Sequence, residues 1–155
     1  MRYSQIRKMD ISNGVGIRVS LWTQGCDIRC KGCFNSDIWD YNGGKEWTKE
    51  TENELLNLCS SPHIKGLSIL GGEPLSPQNY KELIHLFKAF KEKYPDKNIW
   101  MWTGRTFEDL TEEQMEVVRY VDVLVDGPWI EELGDFKLQF RGSSNQRIID
   151  VKTRM

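Results

Sequence analysis

Apolar positions fall in short blocks along the chain, and the period of each block predicts an element. Ile17–Thr23 (IRVSLWT) is β-branched and aromatic and predicts a strand. Residues 49–59 place Leu55, Leu56 and Cys59 on one face at helical spacing. Residues 67–70 (LSIL) form a short continuous apolar run, the pattern of a buried strand, and end in Gly71-Gly72-Glu73-Pro74. Ser76-Pro77 then reads as an N-cap followed by proline at the first helical position. The helix it opens extends to Lys93, with Tyr80, Leu83, Ile84 and Phe87 on its buried face. Residues 98–103 (NIWMWT) predict a third strand, closed by Gly104, and Thr111-x-x-Gln114 matches a capping box opening a short helix. Residues 121–125 (VDVLV) predict a fourth strand that stops at Asp126-Gly127-Pro128. Residues 136–140 and 147–151 predict two further short strands around a polar turn at 141–145.

Strands alternating with helices build βα units and a mostly parallel sheet. Sheets of this kind carry their chemistry on the loops after the strands. The unusual sequences sit at those places: three cysteines after the first strand, GGEP after the second, TG after the third and DGP after the fourth. A closed eight-fold barrel needs roughly 250 residues, and this chain has 155. The expectation is an α/β fold, a single-domain partial (open) βα barrel with mostly parallel strands spanning residues 1–155.

The composition narrows the classes. With 21 basic and 23 acidic residues the net charge is −2, which excludes the positive surface that nonspecific nucleic-acid binding requires. No apolar run approaches the ~18 residues of a membrane span, and residues 1–10 carry no apolar stretch of the signal-peptide kind. The expectation is a soluble, cytoplasmic protein with neither a nucleic-acid nor a membrane partner. The six tryptophans are assigned only to core and interface packing.

Candidate chemistry concentrates in residues 25–34, which carry Cys26, Cys30 and Cys33 at C-x3-C-x2-C spacing. Thiolates are soft, charged donors suited to iron or zinc. Full thiolate ligation of a four-iron cluster takes four cysteines, so three leave one iron open to a small molecule, as a catalytic site requires. A structural zinc site is the alternative, and it needs a fourth ligand, for which Cys59 or His63 is available. A redox dithiol at Cys30 and Cys33 is a further alternative that leaves Cys26 without a role. Cys59 lies on an apolar helical face, where a buried thiol needs no function. His63 and His85 read as ordinary surface or helix residues.

C-x3-C-x2-C just after the first strand, followed by GGEP after the next, resembles the radical S-adenosylmethionine superfamily. Further matches are Asn13-Gly14-x-Gly16-x-Arg18, Gly32-Cys33-Phe34-Asn35, Trp39, Pro77-Gln78-Asn79 and residues 96–104. Val123-Leu124-Val125-Asp126-Gly127 and residues 141–147 (RGSSNQR) complete the set. Together they resemble the activating proteins of the anaerobic (class III) ribonucleoside-triphosphate reductase, along nearly the whole chain. Gly32 stands where many superfamily members have an aromatic residue, and Phe34 either takes over that packing or is an ordinary core residue. Val15 stands where relatives often have Pro, and Arg105 where many have Tyr.

The resemblance implies a [4Fe–4S] cluster on Cys26, Cys30 and Cys33 and S-adenosyl-L-methionine chelated by the open iron. Gly71, Gly72 and Glu73 are then expected to receive its amino group, with Gly32, Phe34, Asn35, Thr103 and Gly104 as further cofactor contacts. It also implies the reaction: an electron from the reduced cluster breaks the sulfonium C–S bond, and the resulting 5′-deoxyadenosyl radical takes a hydrogen atom from a glycine of the partner. The cofactor carries that chemistry, and no His-centred acid–base constellation is expected. The implied partners are the catalytic subunit of the anaerobic reductase and a low-potential electron donor such as a flavodoxin. Residues 126–129 and 141–146 are candidates to line the opening through which a partner loop enters, or else tight turns holding the sheet. Activation of another glycyl-radical enzyme, of the pyruvate formate-lyase type, and a zinc-stabilised interaction module remain as alternatives.

Overall fold

The computed structural model describes residues 1–28 and 39–154. Seven strands form one sheet: β1 (Arg2–Asp10), β2 (Ile17–Thr23), β3 (Lys45–Glu46), β4 (Ile64–Gly71), β5 (Asn98–Trp102), β6 (Val123–Asp126) and β7 (Arg147–Asp150). Four helices accompany them: α1 (Lys49–Leu58), α2 (Tyr80–Lys93), α3 (Glu112–Val118) and α4 (Val151–Arg154). The sheet order is β3-β1-β2-β4-β5-β6-β7, an open sheet whose end strands do not meet.

The four strands expected from apolar blocks, β2, β4, β5 and β6, pair in parallel and in chain order. Right-handed crossovers that always step the same way put every helix on one face. Strand alternation agrees: Val19, Leu21, Leu67, Ile69, Ile99, Met101 and Leu124 form one core with Leu55, Leu56, Leu83, Leu86, Phe87, Phe90, Val117 and Val118 of the helices. Each fully buried Leu or Phe contributes about 1.5–3 kcal/mol. The Thr111–Gln114 capping box forms as the sequence predicts, with both reciprocal hydrogen bonds. Ser76 is extended, as an N-cap should be, but its hydroxyl contacts Tyr41 Oη at 3.0 Å instead of capping. Pro77–Asn79 accordingly form a 3-10 turn before α2.

Three expectations are corrected. The sheet is only partly parallel, because β1, β3 and β7 pair antiparallel. Strand β1 is absent from the apolar pattern because most of its side chains are polar and half-buried or exposed; the backbone ladder with β2 makes it a strand. Residues 136–140 are not a strand: Phe136 is exposed and Phe140 is left-handed, with φ 62°. That φ breaks the extended path on which the FKLQF alternation depends.

The face of the sheet away from the helices is unusual. Register places Arg18, Ser20, Trp22, Ser68, Trp100 and Trp102 on it. Arg18 is wholly buried, with no carboxylate among the described residues in contact. Its Nε donates to Ser68 Oγ (2.7 Å), and its Nη atoms donate to the carbonyls of Val15, Leu67 and Asn98. Its guanidinium lies over the Trp100 ring at 5.6 Å. Burial lowers its pKa to about 10, against the opposing pull of the Asp122 and Asp10 carboxylates, and it stays charged at neutral pH. The loop 11–16 crosses this face: Ser68 Oγ donates to Asn13 O (2.6 Å), and Asp10 accepts from Ser12 N, Asn13 Nδ2 and Ser20 Oγ. Phe140 closes it from the other side, edge-on to Trp100 at 5.2 Å.

Two outcomes are expected. Arg18→Met strands three backbone carbonyls and Ser68 Oγ, and urea unfolding should show a loss of about 3 kcal/mol. Burial raises the Asp122 pKa, but the Lys91 ammonium, the Ile99 amide and Lys152 outweigh it, so the carboxyl lies below its ordinary 3.8. Its stabilisation is present above that value and is lost as pH falls through the lowered one. Asp122→Asn should therefore be less stable than wild type at neutral pH, with the metal-free chains converging in unfolding free energy once the pH falls below the lowered Asp122 pKa.

Candidate functional site

The loops after β2, β4, β5 and β6 converge at one end of the sheet. Beyond β2 the chain turns at Gly25, whose φ is 100°. The Tyr41 ring occupies the space a Cβ at Gly25 would take, at 2.0 Å. Cys26 N donates to Trp39 O (3.2 Å) and Gln24 Nε2 to Asp40 O (2.9 Å), so the segment that leaves at Cys26 returns beside it. Cys26 is buried at the base of this loop. Cys30, Gly32, Cys33, Phe34 and Asn35 lie outside the described residues.

The GGEP segment after β4 is pressed against that base. Glu73 N donates to Gly25 O at 2.8 Å. A Cβ on Gly72 would stand 2.2 Å from the same carbonyl, so only glycine lets the two backbones meet. Glu73 is fully buried, and its carboxylate turns toward the β5 loop. Oε2 accepts from Thr103 Oγ1 (2.6 Å) and Leu75 N (2.9 Å), and Oε1 accepts from Gly104 N (2.7 Å). Burial pushes the Glu73 pKa up; these three donors and the nearby Arg105 pull against it without cancelling it.

Gly71, Gly72, Thr103 and Gly104, all singled out in the sequence, line one cleft of about 420 Å³. That volume lies within the range of small-molecule sites. Glu73 stands behind its wall rather than in it. The lining also includes Gly127, Trp129, Phe140, Arg141 and Gln146, together with Ser12 and Asn13.

The two candidate loops, 126–129 and 141–146, line this cleft and also brace one another. Gln146 Oε1 accepts from the amides of Gly142 and Ser143, while its Nε2 donates to Gly127 O. Asn145 Nδ2 donates to Pro128 O, and Ile130 N donates to Ser143 Oγ. The side chains of Ser143, Asn145 and Gln146 are thus spent on backbone groups, many of them in the loop after β6. Asp126 is buried and accepts from Phe107 N and from Arg147.

Sequence reasoning missed Trp102 and Phe140 in the cleft and Asp27 and Arg105 beside it, whereas Trp129 fell within the candidate loop 126–129. Trp102 and Phe140 carried only an aromatic signal, which reads equally as core. Arg105 stood out as a departure with no consequence attached.

Cys59 and His63 do not reach this end. They precede β4, whereas Cys26 follows β2, and these parallel strands place the two groups at opposite ends of the sheet. The seven residues of β2 span roughly 20 Å. Burial raises the Cys59 pKa to about 12, so it stays a thiol in the core. Neither residue supplies the fourth ligand that the zinc alternative asked of it. Among the described residues no helix is long and apolar enough to cross a membrane.

The 4Fe-4S single cluster domain model matches residues 12–149. The chain is also similar to anaerobic ribonucleoside-triphosphate reductase-activating proteins of several organisms. The one from Enterobacteria phage T4 is 43% identical over 148 residues, 96% of this chain and 93% of that protein. The one from Vibrio cholerae serotype O1 is 41% identical over 150 residues, 96% and 97% of the two chains. That of Escherichia coli K12 is 41% identical over 148 residues, 94% and 96%. With end-to-end similarity of this order and the cluster-domain match across the converging loops, the chain belongs to the family of anaerobic ribonucleoside-triphosphate reductase-activating proteins.

Proposed function

We propose that the chain is an activating enzyme that reductively cleaves S-adenosylmethionine at a [4Fe–4S] cluster and generates a glycyl radical on an anaerobic ribonucleoside-triphosphate reductase. The observation that carries this is the contact of Gly72 with the Gly25–Cys26 peptide at the wall of the cleft. It sets the segment expected to receive a methionyl group directly beside the first cluster cysteine.

The residues fit both groups. Cys26, Cys30 and Cys33 would hold three irons and leave the fourth open. The cleft has the volume for a nucleoside-sized ligand, and Gly71 and Gly72 bring backbone to its surface without side chains in the way. When bound, the cluster and S-adenosylmethionine together supply the one-electron chemistry that yields a hydrogen-abstracting radical. The chain's own residues orient and shield. Glu73 holds the GGEP segment to Thr103 and Gly104 from behind, leaving the backbone of Gly71 and Gly72 toward the ammonium. Gly32, Phe34 and Asn35, next to the cysteines in sequence, are the further cofactor contacts that the resemblance implies. Trp102, Trp129 and Phe140 give the cleft apolar walls that exclude water, which protects a reactive intermediate.

The fold reads as part of a βα barrel contained in one domain, open on the side away from the helices, and a partner's glycine loop enters there. That the similar proteins of phage T4 and Vibrio cholerae are reductase-activating proteins favours the reductase over another glycyl-radical enzyme. A low-potential donor such as a flavodoxin supplies the electron, in the cytoplasm.

Anaerobic reconstitution with iron and sulfide, followed by EPR of the reduced protein, tests the reading. The expected result is a [4Fe–4S] signal that changes shape on adding S-adenosylmethionine. Zinc without sulfide, or a spectrum indifferent to the cofactor, overturns it. Cys26→Ala should lose the cluster and Cys59→Ala should keep it, read as iron and sulfide per chain. Gly72→Ala should keep iron but bind S-adenosylmethionine about tenfold more weakly, a cost of roughly 1.4 kcal/mol.

A further inference from the structure

Arg105 is joined to both halves of the site just described. Its Nη2 donates to the two carboxylate oxygens of Asp27, at 3.0 and 2.8 Å, and Asp27 directly follows Cys26. Its Nε, buried and with no hydrogen-bond partner among the described residues, lies 3.9 Å from Glu73 Oε2. One guanidinium therefore stands between the carboxylate beside the first cluster cysteine and the carboxylate inside the GGEP segment.

The backbone that presents Arg105 is fixed. Its amide donates to Thr103 Oγ1 (3.1 Å), and its carbonyl accepts from Gly127 N (2.8 Å). The next side chain of the loop, Ile28, lies against Gly104. The limb 25–28 is thus held at three successive points: Gly25 O by Glu73 N, Asp27 by Arg105, and Ile28 by the surface of Gly104. An exposed ion pair alone does little, and Asp27 is half exposed. Arg105 is mostly buried and also faces a fully buried carboxylate, so the three charges act as one network rather than as a surface pair.

We propose that Arg105 is a positioning residue: by clamping Asp27 to the Glu73 segment it sets the Cys26 limb of the cluster loop in register with the Gly71–Gly72 wall, so that the open iron faces the ligand. This rests on the function proposed above. The clamp acts on how S-adenosylmethionine meets the cluster, not on whether the cluster assembles, because Asp27 and Arg105 donate no ligand to iron.

The test uses the anaerobically reconstituted full chain and the variants Asp27→Asn, Arg105→Gln and the double variant. Iron per chain, the rate of iron release to a chelator and an EPR titration of the reduced cluster with S-adenosylmethionine are measured on each. The expected result is wild-type iron content, several-fold faster iron release and about tenfold weaker S-adenosylmethionine binding in either single variant. The double variant should be no worse than the singles, since both remove the same contact. Arg105→Lys, which keeps the charge but not the span from Asp27 to Glu73, should fall with them. Titrations within twofold of wild type, or single effects that multiply in the double variant, overturn the clamp. Should Arg105→Gln fail to fold, the half-exposed Asp27→Asn decides alone. A wild-type cluster that ignores S-adenosylmethionine overturns the functional reading and the clamp with it, whereas a responsive wild type with unaffected variants overturns only the clamp.

Discussion

The Glu73 carboxylate is fully buried and accepts a hydroxyl and two backbone amides, from Thr103, Leu75 and Gly104. Burying a charge is costly unless its hydrogen-bonding capacity is filled, so the group is as demanding as it is useful. Its donors come from its own loop and from the loop after β5, and it can be satisfied only where the two strand ends meet. Glu73 N at the same time holds Gly25 O. Three strand ends, β2, β4 and β5, are therefore registered through one residue, and the cleft wall takes its shape from that registration.

The opposite face of the sheet solves a related problem with a cation. Parallel sheets are normally covered on both faces, but here the helices cover only one. Arg18 fills the other with a long side chain whose charge is met by carbonyls and the Trp100 ring. The loop 11–16 and Phe140 lie across the rest. Trp22, Trp100 and Trp102 belong to this layer, so half of the six tryptophans sit on the face that an incomplete barrel leaves without helices. Covering that face with loops instead of strands leaves a cleft at its upper end.

The loops 126–129 and 141–146 of the cleft lining are built differently. Asn145, Gln146 and Ser143 bind backbone groups of the loop after β6, and Arg141 binds Ser144 O and Gln146 O. Side chains that look in the sequence like a ligand-binding run act mostly as braces, and the loops they brace form the cleft. Binding surface and scaffold are the same residues here, because irregular backbone at a strand end needs partners for its own polar groups.

The sequence alone determined the elements with local causes. The helix at 49–59, the capping box at Thr111, the four parallel strands and the cysteine spacing are each written in a few neighbouring residues, and periodicity or ligand chemistry reads them directly. The assignment of Gly71, Gly72, Thr103 and Gly104 to one place was legible too, because chemistry in a parallel sheet gathers at the ends of its strands. Only the tertiary structure decided the rest. The polar β1 is a strand because β2 offers it a ladder, and the FKLQF segment is not one because Phe140 takes a left-handed turn onto Trp100. Glu73 faces Thr103 and Gly104, and Arg105 spans Asp27 and Glu73, across separations of about 30 to nearly 80 residues. Such pairings depend on where folding brings distant charges and amides together, and no local pattern encodes that distance.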